Sequence, residues 1–182
     1  MSLSANSFDN TSFQYAPLID PAQYNHELIR GLAGWWRDQT ASQGSDDLPD
    51  WNKVDKLSLM RWMGWLMVYE LVCDGDKVVD ARFRLVGTRI VDTAGYDLTG
   101  MLLSERSYSM TPGIVIGNLN RIADHGRPAV QNNRIRTLGD YAELSDRLWL
   151  PFSGEDGNVG TIMLYLANVD VLVDRFDSAR LQ

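Results

Sequence analysis

Few side chains of this 182-residue chain are equipped for covalent or metal chemistry. There is one cysteine, Cys73, and there are two histidines, His26 and His125. A cysteine hydrolase needs a base beside its nucleophile, so Cys73 would have to meet one of those two imidazoles; no Gly-x-Ser-x-Gly elbow offers a serine instead. A metal site needs several ligands at short spacing, and two isolated histidines do not supply them. Gly113 and Gly117 fall within a helical period, with no Gly-Lys-Ser/Thr and no strand just before them, so neither a phosphate loop nor a dinucleotide fingerprint is present. His125, in Asp124-His125-Gly126, fits a helix C-terminus, where an imidazolium meets the negative end of the dipole and glycine takes the left-handed cap.

The remaining candidates are charged. Glu70 interrupts an otherwise apolar strand pattern, and a carboxyl against an apolar wall has a raised pKa suited to acid–base work. The alternative is that Glu70 points to solvent or pairs with Arg82 or Arg84 across a hairpin. Arg134, Arg136 and Arg147 would line a site for an anion if they project inward, and form a solvated sheet face if they do not. Facing outward with Arg82 and Arg84, they make a basic stripe suited to an acidic partner.

The elements that must position these residues are set by composition and periodicity. With 45% apolar and 23% charged residues the chain belongs to the ordinary globular class, and its length suits one domain with appendages. A net charge of −7 disfavours non-specific nucleic-acid binding. No run approaches about 20 apolar residues and the N-terminus lacks signal-peptide order, so no membrane partner is expected and the expected location is the cytoplasm.

Along the chain, a Ser/Asn-rich leader over 1–19 is expected to be disordered. A flanking helix over 20–44 starts at Asp20-Pro21 and presents Tyr24, Leu28, Leu32 and Trp35 on one face, ending near Thr40. A second helix is expected over about Asp50–Trp62. From residue 65 the period becomes two, Asp74-Gly75 supplies a hairpin turn, and Ala81–Val86 returns. A single helical turn over Val91–Gly95 and a well-bounded helix over Thr111–His125 follow. Three more strands, Pro128–Leu138, Arg147–Phe152 and Val159–Val169, complete a domain over 45–170, with a tail over 171–182. Two hairpins and a fifth strand interrupted by helices define an α+β class: a five-stranded antiparallel sheet with helices on one face and an extra N-terminal helix.

Several local words, in their order and spacing, resemble a PAS domain, most closely the single-module PAS-type proteins common in alphaproteobacteria. They are Phe83-Arg84-Leu85-Val86-Gly87-Thr88, Gly95-Tyr96-Asp97-Leu98-Thr99-Gly100, Gly126-Arg127-Pro128 and Leu150-Pro151-Phe152-Ser153 with Asp156-Gly157 behind it. The resemblance implies a PAS-like sensory or regulatory module that binds a small ligand or a protein partner, and leaves the cofactor unknown. Relatives that form a flavin adduct use a cysteine in a helical motif, whereas Cys73 falls at a strand end; haem-binding relatives carry a histidine on the long helix, where His125 lies.

The ligand pocket expected between helix and sheet has a wall of Tyr69, Phe83, Leu85, Tyr96, Leu119, Ile122, Ile135 and Leu164. A one-residue error in strand phase would send the strand members of this wall to the opposite face. The alternative is a filled core with no cavity. Of six tryptophans, five fall within the first 65 residues, and the adjacent Trp35 and Trp36 point different ways on a helix. One of them then faces a neighbour, which makes a homodimer through the N-terminal helix a reasonable expectation. No kinase, cyclase or DNA-binding segment accompanies the module, so output is expected in trans on a protein partner, without catalysis. The alternative from another class is a small-molecule isomerase or dehydratase using Glu70 or an Asp in a cone-shaped α+β pocket.

Overall fold

A computed structural model describes residues 17–44, 47–105, 112–136 and 142–167, without the side chains of 93, 94, 133–136 and 142–145. Residues 1–16 of the leader expected over 1–19, and the tail expected over 171–182, lie outside the described residues, whereas 17–19 are described and Ile19 bridges to Val130. Five strands, β1 (Leu66–Asp74), β2 (Lys77–Val86), β3 (Ala129–Arg136), β4 (Ala142–Ser153) and β5 (Val159–Ala167), form one antiparallel sheet in the order β2-β1-β5-β4-β3. Between β2 and β3 run two helices, α2 (Thr88–Ala94) and α3 (Pro112–His125), while α1 (Glu27–Ser42) precedes the sheet. This is the α+β class expected, with the hairpin, helical connection and three further strands that the PAS resemblance implies.

The sheet is the shared wall of two cores. Alternation sends Met67, Tyr69, Trp149, Ile162 and Leu164 towards α2 and α3, where Val115, Leu119 and Ile122 meet them. The opposite phase, Leu66, Val68, Leu148, Leu150, Met163 and Tyr165, packs against Ile29, Leu32, Trp35 and Trp36 of α1. The extra N-terminal helix therefore covers the face that α2 and α3 leave open. The central strands β1, β4 and β5 are apolar on both sides for this reason.

Two expected helices differ. The first does not run on from Asp20. Asp20 accepts from Ala22 N at 2.9 Å and caps only a 3-10 turn, Pro21–Gln23. Ile19 bridges to Val130 of β3, and the Tyr24 hydroxyl donates to Asp146 of β4, so this segment is held to the sheet; the chain then turns, and His26 caps α1 by accepting from Ile29 N at 3.4 Å. Tyr24 thus leaves the helical face, whereas Leu28, Leu32 and Trp35 remain in α1. The segment 50–62 is no α-helix either. Asp50 accepts from Asn52 N at 2.8 Å and Asp55 from Leu57 N at 3.1 Å, and Gln43 and Gln39 accept from Asp50 N and Asp55 N. Side-chain acceptors take the amides that a helix would use, leaving 3-10 turns at Lys56–Leu59 and Met63–Trp65.

These turns explain the tryptophan pair. Trp35 donates to Ser58 Oγ at 2.6 Å and lies near Phe152, while Trp36 donates to the Pro151 carbonyl at 2.7 Å. At 8% and 6% exposure both indoles are buried within the chain, because α1 lies in a trough between the sheet and residues 50–65. The premise that one of them must face a neighbour is not met.

Two glycine positions are set by geometry. A Cβ on Gly87 would meet the carbonyl oxygens of Gly64 and Met63 at 2.3 Å, so only glycine lets the end of β2 pass this backbone. Gly95 and Gly100 adopt φ of 80° and 89° at the two ends of the Gly-Tyr-Asp-Leu-Thr-Gly connection. Asp97 within it accepts from Thr99 N at 2.9 Å, which holds its carboxyl below the usual value. The connection then covers the outer edge of β2: Gly100 N donates to Phe83 O at 2.7 Å and Phe83 N to Met101 O at 3.0 Å.

Candidate functional site

A cavity of about 50 Å³ lies between α3 and the sheet, lined by Met67, Tyr69, Val115, Asn118, Arg147, Trp149, Leu164 and Leu166. Its polar groups are placed by strand and helix phase. Arg147 and Trp149 are two residues apart in β4 and share the α3-facing side, and Arg147 pairs across the sheet with Gln131 of β3 and Leu166 of β5. Asn118 sits on the buried face of α3, one turn from Val115 and Ile122.

A relay of buried amides orients Asn118. Trp149 Nε1 donates to Gln131 Oε1 at 2.8 Å, and Gln131 Nε2 donates to Asn118 Oδ1 at 2.9 Å. Gln131 is 0% exposed and Asn118 4%, so these bonds are shielded from water. Because the indole only donates, it fixes which end of Gln131 accepts; Gln131 in turn engages the oxygen of Asn118 and leaves the amide N–H₂ as its donor end. Burial pushes the Arg147 guanidinium below its ordinary value, with nearby Tyr69 acting in the opposite direction; the group remains a cation. The Tyr69 hydroxyl donates to the weak acceptor Met67 Sδ at 3.6 Å.

The expected wall is brought together in part. Tyr69 and Leu164 line the cavity. Phe83, Leu119 and Ile122 belong to the same core but pack it solid, each 0% exposed, and Tyr96 lies half-buried against it. Leu85 is on the other face, against the α1 core. The register changes from Val68↔Leu85 to Tyr69↔Phe83, so Arg84 is the extra residue of a β-bulge, and residues 83 and 85 lose their shared face. Ile135 pairs with Glu143 through the backbone of β3; its side chain, like those of Arg134 and Arg136, is outside the described set.

The other candidates lie elsewhere. Glu70 is exposed and pairs with Arg82 across the β1–β2 hairpin, so the inward carboxylate considered for an isomerase is not this one. Arg82 donates to the Gly100 carbonyl at 2.7 Å. Cys73 is exposed near the end of β1, in a strand rather than a helix, and does not fit a helical flavin-adduct motif. His125 ends α3, followed by Gly126 at φ 64°, whose N–H donates to Ile122 O at 3.0 Å; this is the capping geometry. Its ring lines a separate open cleft between α1 and the α3–β3 corner, with Arg30, Trp36, Arg37 and Arg127, and not the cavity under α3. The inner cavity is also far too small for haem or flavin.

Sequence reasoning singled out Arg147 as one of three candidate arginines but missed Asn118 and Gln131. Their signal was a polar residue on an apolar phase: Asn118 falls between Val115 and Ile122 on the buried face of α3.

No family model matches the chain, and no curated protein matches it. Among solved structures, the PAS domain of Bordetella pertussis BvgS is similar at 16% identity, covering 70% of this chain and 96% of that one, with a TM-score of 0.36. An RNA-binding Light-Oxygen-Voltage receptor is similar at 13% identity, covering 88% of this chain and 56% of that one, with a TM-score of 0.38. Likeness this slight bears on neither site nor function. Among the described residues, no helix is long and apolar enough to cross a membrane.

Proposed function

We propose that the chain is a PAS-like sensory or regulatory module that takes a small ligand between α3 and the sheet and signals by contact with a partner in trans, without catalysis. The observation that carries this reading is the cavity beneath α3, where the Trp149–Gln131–Asn118 relay holds Asn118 in a fixed orientation within a mostly apolar wall that also includes Arg147. Small-molecule sites combine an apolar lining with a few such oriented groups. The lining residues include no carboxylate, imidazole or thiol, which favours binding over proton transfer. Among the described residues the buried carboxylate is Asp146, which lies on the α1 side with Tyr24 and Asn132. The strand order and the sequence resemblance add support. A cytoplasmic location follows from the same reading, and a second copy of the chain is one form the partner can take.

The test is a thermal-shift screen of the full chain against small anionic, neutral and cationic metabolites. A true ligand raises Tm by several degrees at about a hundred times its Kd. Val115→Leu, which carries one more methylene into the cavity, is expected to keep the fold and lose that response. A screen in which nothing gives a saturable shift, or in which Val115→Leu responds like the native chain, contradicts the reading.

A further inference from the structure

We propose that the open cleft between α1 and the α3–β3 corner is the surface on which the module meets its partner, and that the partner presents an acidic peptide segment to it. This gives a chemistry to the partner contact of the reading above and rests on that contact, not on the cavity beneath α3. The cleft has a volume of about 860 Å³, and its lining includes Arg30, Arg37, Arg127 and His125. Arg37, His125 and Arg127 are exposed, and among the described residues none of the three makes an ion pair or a side-chain hydrogen bond. Arg30 Nη1 donates to Tyr24 O at 3.3 Å and to Asn25 Oδ1 at 3.2 Å, which ties its head to the wall. Two carboxylates share the lining, Asp20 and Asp47, and Asp20 is engaged with Ala22 N. Asp38 and Asp124, the chain neighbours of Arg37 and His125, do not line it. In a chain that carries −7 this is a local excess of positive charge, and an acidic segment complements it.

Spacing favours a peptide over a compact anion. Arg30, Ala33 and Arg37 recur at three and four residues along one face of α1. At about 1.5 Å per residue Arg30 and Arg37 are about 10 Å apart along the helix axis, a distance an extended peptide covers in about three residues. Arg127 stands on the other wall, between Gly126 and Pro128. Positive heads spread along two walls suit several carboxylates in a row better than one small anion. Between them Ala33 and Trp36, 7% and 6% exposed, and Pro128 offer apolar surface to a side chain that lies among the acids. The walls are preformed: Ile19 N donates to Val130 O at 2.9 Å and Val130 N to Ile19 O at 2.8 Å, and the Trp36 indole is held on Pro151 O at 2.7 Å. His125 ends the same α3 whose Val115 and Asn118 line the inner cavity, so one helix borders both sites.

The experiment is a ¹⁵N-NMR titration of the full chain at constant ionic strength with the end-blocked peptide Glu-Glu-Leu-Glu-Glu-Leu and, separately, with its uncharged counterpart Gln-Gln-Leu-Gln-Gln-Leu. The readouts are the Trp36 indole N–H and the Gly126 and Arg127 backbone amides, with the Trp149 indole reporting separately on the inner cavity. The acidic peptide is expected to shift the three cleft signals saturably, with the uncharged one at least about tenfold weaker. Arg37→Gln combined with Arg127→Gln should weaken the acidic peptide about tenfold, while Arg84→Gln, exposed and outside the cleft, should leave it within about twofold. If the double variant does not fold, the contrast between the two peptides in the native chain decides. Equal binding of the two peptides, or native affinity in a folded double variant, overturns the acidic-partner inference. So does tighter binding of tripolyphosphate than of the peptide, which would make the cleft a site for a compact anion, or movement of the same signals with chain concentration alone, which would give it to a second copy. No saturable shift at the cleft overturns it as well, and the metabolite screen with Val115→Leu still judges the cavity beneath α3 independently.

Discussion

Gln131 does two jobs with one carboxamide. It accepts from Trp149 at 2.8 Å and donates to Asn118 at 2.9 Å, at a position shielded from bulk solvent. Gln131→Ala would leave an indole N–H and an amide oxygen buried and unpaired, and should cost about 1–3 kcal/mol in urea unfolding. It should also free the Asn118 side chain to rotate, so the ligand-linked Tm shift weakens along with the fold. A substitution as mild as an exposed one, within about 0.5 kcal/mol, would mean the relay is not what holds this part of the core. Such pairings are hard to see in a sequence. Asn118 and Gln131 are far apart in the chain and each is a common surface residue type; only strand register and helix phase together place them in contact. Arg147 was visible as a candidate, but its direction depended on a strand start that composition does not mark, since β4 begins at Ala142 rather than Arg147.

At the scale of elements, the hairpins, the capped helix α3 and the strand β5 were legible, because alternation, Asp-Gly turns and Gly126 each carry a local physical signal. The β2 bulge was not. One extra residue at Arg84 reverses the phase between Phe83 and Leu85, and nothing local announces it. Nor was the break after Gln23, which depends on a long-range latch: Tyr24 reaches Asp146, and Asn132 Nδ2 donates to the same carboxylate at 2.8 Å. Burial first, and then the bond to Asp146, raise the Tyr24 phenol above 10.0. The folded chain therefore keeps this proton to higher pH than the unfolded chain does. The associated stability is complete below about pH 10 and is lost as pH rises towards the folded value. Tyr24→Phe should remove that alkaline slope and cost about 1 kcal/mol near neutrality, measured by urea unfolding across pH. An unchanged slope would show that another group governs alkaline unfolding.

For the whole molecule, one sheet serves two cores with different tasks. The α1 side is sealed by large apolar residues, Trp35, Trp36, Trp51 and Phe152; the Phe152 ring meets Trp51 edge to face and Trp35 at a tilt. The α3 side is equally dense around Phe83, Leu98 and Leu119, and gives way to a polar cavity at Asn118 and Arg147. The most direct test is a crystal structure of the full chain with the compound giving the largest thermal shift. The account predicts density for that compound between α3 and β4, against Arg147 and Asn118. Density in the cleft beside His125, with the space beneath α3 closed or holding water alone, would contradict it.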